Sequence, residues 1–160
     1  MERTEENTEF LIRRMTKEDI PQAAEIEKQC FSEPWSENAY RSCFAGDGEQ
    51  SWFYAAVSES APAALLGIIG LSRMGDDGEI SNVAVLPRWR RNGLARALLE
   101  RAIRDGESLY GLQDFTLEVR AGNQAAICLY ESEGFREEGR RPDFYRNPTE
   151  DARILWRRKS

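Results

Sequence analysis

The chain of 160 residues contains no histidine. This absence excludes Ser-His-Asp and Cys-His catalysis, and it removes the imidazole ligands on which most catalytic zinc sites depend. If the protein is an enzyme, its general base must therefore be a carboxylate, an amine, a phenol or water. Cysteine is also scarce, and no C-x-x-C pair occurs among Cys30, Cys43 and Cys128. We expect neither a disulfide framework nor a bound metal.

Long apolar runs are missing as well. No stretch approaches the ~18 apolar residues of a membrane span, and residues 1–7 lack the apolar region of a signal peptide. We therefore expect a cytoplasmic protein without a membrane partner. The 28 Asp and Glu residues outnumber the 22 Lys and Arg residues, which gives a net charge of -6. This charge argues against a basic nucleic-acid interface and favours a cationic partner.

The length suits a single domain over residues 1–160, in which the polar residues 1–9 form a flexible tail. Alternating apolar residues predict strands, and apolar residues spaced by three and four predict helices. The predicted strands span residues 10–13, 52–57, 64–73, 79–86, 115–120, 135–140 and 152–158. The predicted helices end near Gln29, Phe44, Gly106 and Glu133. The second to fourth strands suit an antiparallel meander, and the last two suit a hairpin at the sheet edge.

One turn carries an anion-binding pattern. Between an apolar strand and an amphipathic helix lies the run Arg90-Arg91-Asn92-Gly93-Leu94-Ala95. A helix N-terminus offers free N–H groups and a positive dipole end, and glycine lets the backbone approach a phosphate closely. The same residue types also occur in turns that only face solvent, so the run alone leaves both interpretations open.

Two later segments resemble a known family. They are Leu117-Glu118-Val119-Arg120-Ala121-Gly122-Asn123 and Leu129-Tyr130-Glu131-Ser132-Glu133-Gly134-Phe135. With the run at 90–95 they resemble the GNAT superfamily of acyl-CoA-dependent N-acetyltransferases, and within it the ribosomal-protein-alanine branch. Residues 31–36 and Tyr145 with residues 148–152 extend the resemblance over about residues 10–156. The chain differs in having Ala95 where a glycine often stands and in residues 139–142.

The resemblance implies the GNAT fold, a mixed α/β structure whose central, mostly antiparallel twisted sheet is flanked by helices and has a splayed strand pair forming the CoA cleft. It implies acetyl transfer from acetyl-CoA to the N-terminal α-amine, most often alanine, of a ribosomal small-subunit protein. The attack is direct, within a ternary complex. The residues implied in binding acetyl-CoA are Val83, Ala84, Val85, Arg90, Arg91, Asn92, Gly93, Leu94, Ala95, Asn123 and Tyr130.

The resemblance also assigns two catalytic residues. Glu118 corresponds to the proposed base, although the strand pattern alone makes it a solvated surface residue. Tyr130 corresponds to the acid that protonates the leaving thiolate, although it also fits an ordinary core tyrosine. Trp35 and Tyr145 are candidates for the acceptor groove, and Trp35 fits a hydrophobic plug equally well.

Three alternatives remain open. In the first two, the protein is still an acetyltransferase, but its acceptor is a lysine or a small polyamine instead of an α-amine. In the third, the protein is a CoA-binding module without turnover. A route through an acyl-enzyme on Cys128 has little support, because no histidine activates the thiol and its helix position indicates packing. The expected partner is the basic N-terminal segment of a ribosomal protein, and the expected state is a monomer or weak dimer.

Overall fold

The computed structural model describes residues 9–46 and 48–159. In these ranges an open sheet of seven strands carries helices on both faces. The strands are β1 (Phe10–Arg14), β2 (Ser51–Ser58), β3 (Ala61–Met74), β4 (Asp77–Val85), β5 (Phe115–Arg120), β6 (Arg136–Tyr145) and β7 (Glu150–Arg157). The α-helices are α1 (Ile20–Cys30), α2 (Glu37–Phe44), α3 (Leu94–Ser108) and α4 (Gln124–Ser132). The tail predicted for residues 1–9 lies, apart from Glu9, outside the described residues.

The strand order is β1-β2-β3-β4-β5-β7-β6. Neighbouring strands are antiparallel except β4 and β5, which run parallel. The predicted meander and the predicted edge hairpin are both confirmed. β4 and β5 pair only at Gly78 with Phe115 and at Glu79 with Thr116, and beyond these positions they separate. The separation is the expected splay, and it opens a cleft inside the sheet.

A bulge interrupts β4 beside this cleft. Ile68 of β3 pairs with Ala84 and Gly70 pairs with Ser81, so two residues of β4, Asn82 and Val83, stand opposite the single residue between them. Asn82 has a left-handed φ of 56°, which a short polar side chain tolerates. Such a bulge bends its strand and removes backbone groups from regular pairing. The backbone of Asn82 and Val83 is therefore released where β4 leaves β5.

The sheet buries both of its faces. On one face α3 and α4 pack against β3, β4, β5 and β7. The spacing predicts an apolar stripe of Ala95, Leu98, Leu99, Ala102 and Ile103 on α3, and all of these are buried there except Ala95, which is half-buried. On the other face α1 and α2 pack against β2, β3 and Ala84 of β4. In the described ranges no helix is long and apolar enough to cross a membrane.

Some predicted boundaries are wrong. Gly106 does not end α3, which continues to Ser108. A Cβ atom at Gly106 would lie 2.7 Å from the ring of Phe115, so glycine is needed there because α3 and β5 approach closely. β6 is longer than predicted and includes residues 139–142, with a register shift between Arg141 and Tyr145.

Candidate active site

A cavity of about 670 Å³ lies where β4 and β5 separate. Its walls come from the end of α1, the loop after α1, β4, β5, α4 and the loop between β6 and β7. Side chains that the sequence analysis assigned to catalysis and to acceptor binding all line it, namely Glu118, Tyr130, Trp35 and Tyr145. These residues are far apart in the chain, and the fold brings them to one place.

Glu118 lies in the middle of β5 and lines the cavity. Its side chain is only 22% exposed, and its Oε2 lies 2.5 Å from Nε of Arg141. The strand pattern alone placed Glu118 at a solvated surface, whereas the structure places it in the cavity with a cation bound to it. Arg141, which no sequence motif indicated, belongs to the site through this ion pair.

Tyr130 lies on α4 and is buried, with its ring edge-on to Phe135 at a centroid distance of 6.0 Å. Burial raises the pKa of the Tyr130 phenol, and the nearby Tyr145 raises it further. The phenol therefore holds its proton at neutral pH, and the residue lines the cavity. The two interpretations of Tyr130 are compatible, since the ring packs in the core and the residue lines the cavity.

Tyr145 is the last residue of β6 and lies near both catalytic candidates, Glu118 and Tyr130. Burial raises the pKa of its phenol to about 12, and the charge of Glu118 contributes in the same direction. The guanidinium of Arg120 lies 4.6 Å from the centre of the Tyr145 ring. Tyr145 is thus held between β5 and the loop after β6.

Arg120 joins the two loops that form the walls of the cavity. Its Nη2 donates to Ser32 Oγ and to the carbonyl of Arg146, each at 2.9 Å. Its Nη1 donates to the carbonyl of Pro148 at 2.9 Å and pairs with Glu150 at 3.2 Å. Because one side chain binds both loops, the opening between them is fixed rather than left to loop motion.

Glu27 of α1 is fully buried and holds the opposite wall. Its oxygens accept from the Trp35 backbone N–H at 3.0 Å, from the Tyr40 hydroxyl at 2.6 Å and from Asn82 Nδ2 at 2.7 Å. The Trp35 ring packs edge-on against Tyr40 at a centroid distance of 5.2 Å and also lines the cavity. Trp35 therefore fills part of the hydrophobic core and forms part of the cavity wall. Glu27 lies among the apolar positions of a helix, and no local signal marks it as the residue that joins α1 to the β4 bulge.

The run at 90–95 opens α3 as predicted. Gly93 is the N-cap in a left-handed conformation with φ 83°, and no side chain caps the helix. The backbone N–H groups of residues 94–96 therefore lack an intrahelical partner. A Cβ atom built on Gly93 would meet no heavy atom within 4 Å, so the space in front of the helix is open. Free N–H groups beside open space fit a pyrophosphate.

The other residues of this run divide between two roles. Arg91 is exposed at the turn, whereas Arg90 folds back and donates from Nε to the Val85 carbonyl at 3.0 Å. Asn92 donates to the carbonyls of Trp89 and Arg90 at 3.1 Å, so it shapes the turn. Leu94 is buried and Ala95 is half-buried against the core. In this structure Arg90 braces β4, whereas Arg91 is exposed beside the start of α3.

The remaining candidates also have definite positions. Val83 lines the cavity, Ala84 is buried under α1, and the Val85 carbonyl is occupied by Arg90. Asn123 caps α4 as predicted, because its Oδ1 accepts from the N–H of Ala126 at 3.2 Å, and it also lines the cavity. Cys128 is exposed, so the expectation that it packs inside is wrong.

Comparison with known proteins decides the family. A model of the acetyltransferase (GNAT) family matches residues 20–135. The ribosomal protein bS18-alanine N-acetyltransferase of Escherichia coli K12 is 38% identical over 135 residues, which is 84% of this chain and 85% of that protein. This chain belongs to the GNAT acetyltransferase family.

Solved structures agree with this assignment. The crystal structure of the ribosomal-protein-S18-alanine N-acetyltransferase from E. coli has a TM-score of 0.82 at 34% identity, over 94% of both chains. A chain of the NatC complex bound to Gag peptide and CoA has a TM-score of 0.82 at 25% identity, over 95% of this chain and 99% of that chain. This GNAT member therefore shares its fold with one chain of a complex that was solved with CoA and a peptide. The roles of Glu118 and Tyr130 stay predictions that rest on their geometry.

We expect Glu27→Gln to lower the free energy of unfolding by roughly 1.5–3 kcal/mol, the range for losing hydrogen bonds to a buried charged group. The amide would present an NH₂ group to one of the donors that Glu27 now accepts from. Urea unfolding of this GNAT member followed by fluorescence measures the change. The matched control is Glu25→Gln on the exposed side of the same helix, for which we expect a change within about 0.5 kcal/mol. Equal stability of the two variants would contradict the role of Glu27 in holding the wall.

Proposed function

We propose that this chain transfers the acetyl group of acetyl-CoA to the N-terminal α-amine of a ribosomal small-subunit protein that begins with alanine, and that it does so in the cytoplasm. The observation that carries the proposal is the cavity in which Glu118, Tyr130 and Tyr145 meet at the separation of β4 and β5. The acceptor named for the E. coli relative supports the choice of a ribosomal protein.

The residues that would hold acetyl-CoA lie on β4 and at the start of α3. The free N–H groups of residues 94–96, with Arg91 beside them, suit the diphosphate. The released backbone of Asn82 and Val83 suits the extended arm and the thioester oxygen. Asn123 and Tyr130 face the same space from α4. When bound, acetyl-CoA supplies an acyl carbon activated by its bond to sulfur.

The side chains of the cavity supply the proton chemistry. Glu118 accepts a proton from the acceptor nitrogen, and Tyr130 holds a proton at its hydroxyl oxygen for the departing thiolate. Cys128 is exposed and is not among the residues that line the cavity, which favours direct attack over an acyl-enzyme. An intact carboxylate and phenol at these positions favour an enzyme over a CoA-binding module without turnover.

The choice of an α-amine follows from proton energetics. An α-amino group has a pKa of about 7.7–8.0, and lysine has one of about 10.4. The attacking nitrogen must be neutral. Deprotonating a lysine therefore costs roughly 3.3–3.7 kcal/mol more free energy than deprotonating an α-amine, at ~1.36 kcal/mol per pKa unit. A chain whose base is a carboxylate and which has no histidine is better matched to the α-amine. Its net charge of -6 also attracts a basic N-terminal segment.

We expect Gly93→Val to weaken acetyl-CoA binding by at least tenfold. The branched side chain would fill the open space in front of α3 and disfavour the left-handed conformation. Gly75→Val is the matched control, because Gly75 also has a positive φ with nothing within 4 Å, but it lies in the turn between β3 and β4. Calorimetric titration with acetyl-CoA compares the two variants. Equal affinities of the two variants for acetyl-CoA would contradict the assignment of the diphosphate site to the start of α3.

We expect Glu118→Gln to lower turnover by about 10²-fold, the usual size of a general-base contribution, with acetyl-CoA affinity nearly unchanged. Tyr130→Phe should slow release of the thiolate and also leave affinity in place. Both are measured as CoA release with a peptide acceptor, and Glu25→Gln serves as the charge-matched control. Near-normal rates in both variants over pH 6–9 would show that Glu118 is not the base and that Tyr130 is not the acid.

We expect a peptide that begins with free alanine followed by basic residues to be acetylated only at its α-amine. An N-blocked version that carries lysine should react at least tenfold more slowly, and the rate with the free peptide should fall as salt rises. Tandem mass spectrometry locates the label. Acetyl groups found mainly on lysine would contradict the proposed acceptor and favour a lysine or a polyamine. Binding of acetyl-CoA without transfer to any amine would indicate a CoA-binding module.

A further inference from the structure

One buried polar atom in the wall of the cavity has no partner. Asn82 is the first residue of the β4 bulge, and it lines the cavity together with Val83. In residues 9–46 and 48–159, Oδ1 of Asn82 is the only buried side-chain N or O atom that has no hydrogen-bond partner. A buried acceptor without a donor costs free energy. A donor that enters the cavity beside Asn82 removes this cost.

The other end of the Asn82 amide fixes its orientation. Nδ2 donates to Oε2 of Glu27 at 2.7 Å. Glu27 is fully buried and also accepts from Trp35 and Tyr40, so it acts only as an acceptor. A rotation that exchanged Nδ2 and Oδ1 would place two acceptors against each other in a buried position. Oδ1 of Asn82 therefore faces away from Glu27.

The place of this amide favours a donor on the acceptor over a donor on acetyl-CoA. α1, which carries Glu27, packs on the face of the sheet opposite to α3. The proposed diphosphate site lies at the start of α3, whereas Trp35 of the proposed acceptor groove follows α1. Because it is bound to Glu27, the Asn82 amide lies on the acceptor side of the strand separation.

Within the acceptor, the α-nitrogen is the group that best reaches Asn82. The released backbone of Asn82 and Val83 is where the proposed function places the thioester oxygen. The Asn82 side chain thus begins beside the reacting carbon. The α-nitrogen is the atom that bonds to this carbon, whereas the first peptide N–H of the acceptor is three bonds further away.

The attacking nitrogen has a use for a neutral acceptor. A neutral primary amine has a lone pair, which bonds to the acyl carbon, and two N–H bonds. One proton passes to Glu118, the carbon–sulfur bond breaks, and the thiolate takes a proton from Tyr130. The second N–H remains in the amide product. An amide oxygen can hold this N–H throughout, because it accepts a hydrogen bond without removing the proton.

We propose that Asn82 is a specificity-determining catalytic residue, whose Oδ1 accepts a hydrogen bond from the acceptor N–H that remains in the product. The assignment rests on the proposed function, since it concerns the same cavity and the same acceptor. With one N–H directed at Glu118 and the other at Asn82, the lone pair of a tetrahedral nitrogen points in a single direction, toward the acyl carbon.

This arrangement requires a primary amine. An N-terminal proline or an N-methylated residue has only one N–H when it is neutral, so it cannot bond to Glu118 and Asn82 together. The wild type should therefore acetylate a peptide that begins with N-methylalanine at least tenfold more slowly than the alanine peptide. Equal rates with the two peptides would overturn the proposal.

The main test is a binding cycle that combines Asn82→Gly with removal of the acceptor amine. Glycine tolerates the left-handed φ of 56° at this position and removes only the side chain. The second peptide begins with an isobutyryl group, in which a methyl group replaces the amine of alanine. Calorimetry is carried out at pH 9, where most of the α-amine is neutral, on enzyme saturated with CoA so that no transfer occurs.

We expect Asn82→Gly to bind the alanine peptide about tenfold more weakly than the wild type, and the isobutyryl peptide within about twofold. In turnover, kcat/KM for the alanine peptide should fall at least tenfold. Asn147→Gly is the matched control, because Asn147 has a φ of 53° and lines the same cavity but is exposed. It should keep the wild-type ratio of the two peptide affinities.

An equal loss of affinity for both peptides in Asn82→Gly would overturn the proposal, because Asn82 would then only shape the wall. A loss of acetyl-CoA affinity would pair Oδ1 with the cofactor, and unchanged affinities and rates would leave it to ordered water; either result also overturns the proposal. A thermal unfolding curve shows that the variant is folded. If the wild type acetylates lysine, the proposed function fails, but the same cycle tests Asn82 with a lysine peptide and a peptide in which a methyl group replaces the side-chain amine.

Discussion

β4 and β5 share two residue pairs and then separate, although both remain paired with their outer neighbours β3 and β7. The separation leaves two facing strand edges open within a sheet. Backbone N–H and C=O groups that are removed from water must find partners, so open internal edges call for an extended ligand or for ordered water. The bulge at Asn82 and Val83 maintains the separation, because it takes β4 out of register at the position where β5 would otherwise follow it. Catalytic candidates, cavity and cofactor site all depend on this geometry.

The walls of the cleft are fixed by two charged groups that are fully engaged. Glu27 joins α1, the loop after it and the β4 bulge through three hydrogen bonds, and Arg120 joins that loop to the β6–β7 loop. Glu27 is fully buried, and a buried charge with one partner removed is strongly destabilising, so Glu27 favours only the arrangement in which all three of its donors are present. The proposed acceptor groove is therefore shaped before an acceptor arrives, which would reduce the ordering that binding must supply.

Much of this structure follows from the sequence, and the omissions have a physical reason. Strand alternation and helical spacing predicted the elements, because these periods reflect local burial. The same alternation placed Glu118 on a polar face but could not show that α1 and β6 cover that face. The ion pair of Arg141 with Glu118 and the brace formed by Arg90 depend on contacts in the folded chain, and no local pattern encodes them. Gly106 marks a close helix–strand contact rather than a helix end, and the two uses of glycine look alike in one sequence.

A carboxylate in place of histidine sets limits on the acceptor. An ordinary glutamate has a pKa of about 4.3, so removing a proton from an α-ammonium group is uphill by about 5 kcal/mol, and from a lysine ammonium by about 8 kcal/mol. The cavity raises the pKa of a carboxyl that lines it, as Glu79 of β4 shows, because burial and the neighbouring charge of Glu118 both act in that direction. A base with a raised pKa would face a smaller cost with either acceptor. The cost remains lower for the α-amine by the full difference between the two amines. A carboxylate base in a partly buried cavity is thus better suited to an acceptor that gives up its proton easily, as an α-amine does.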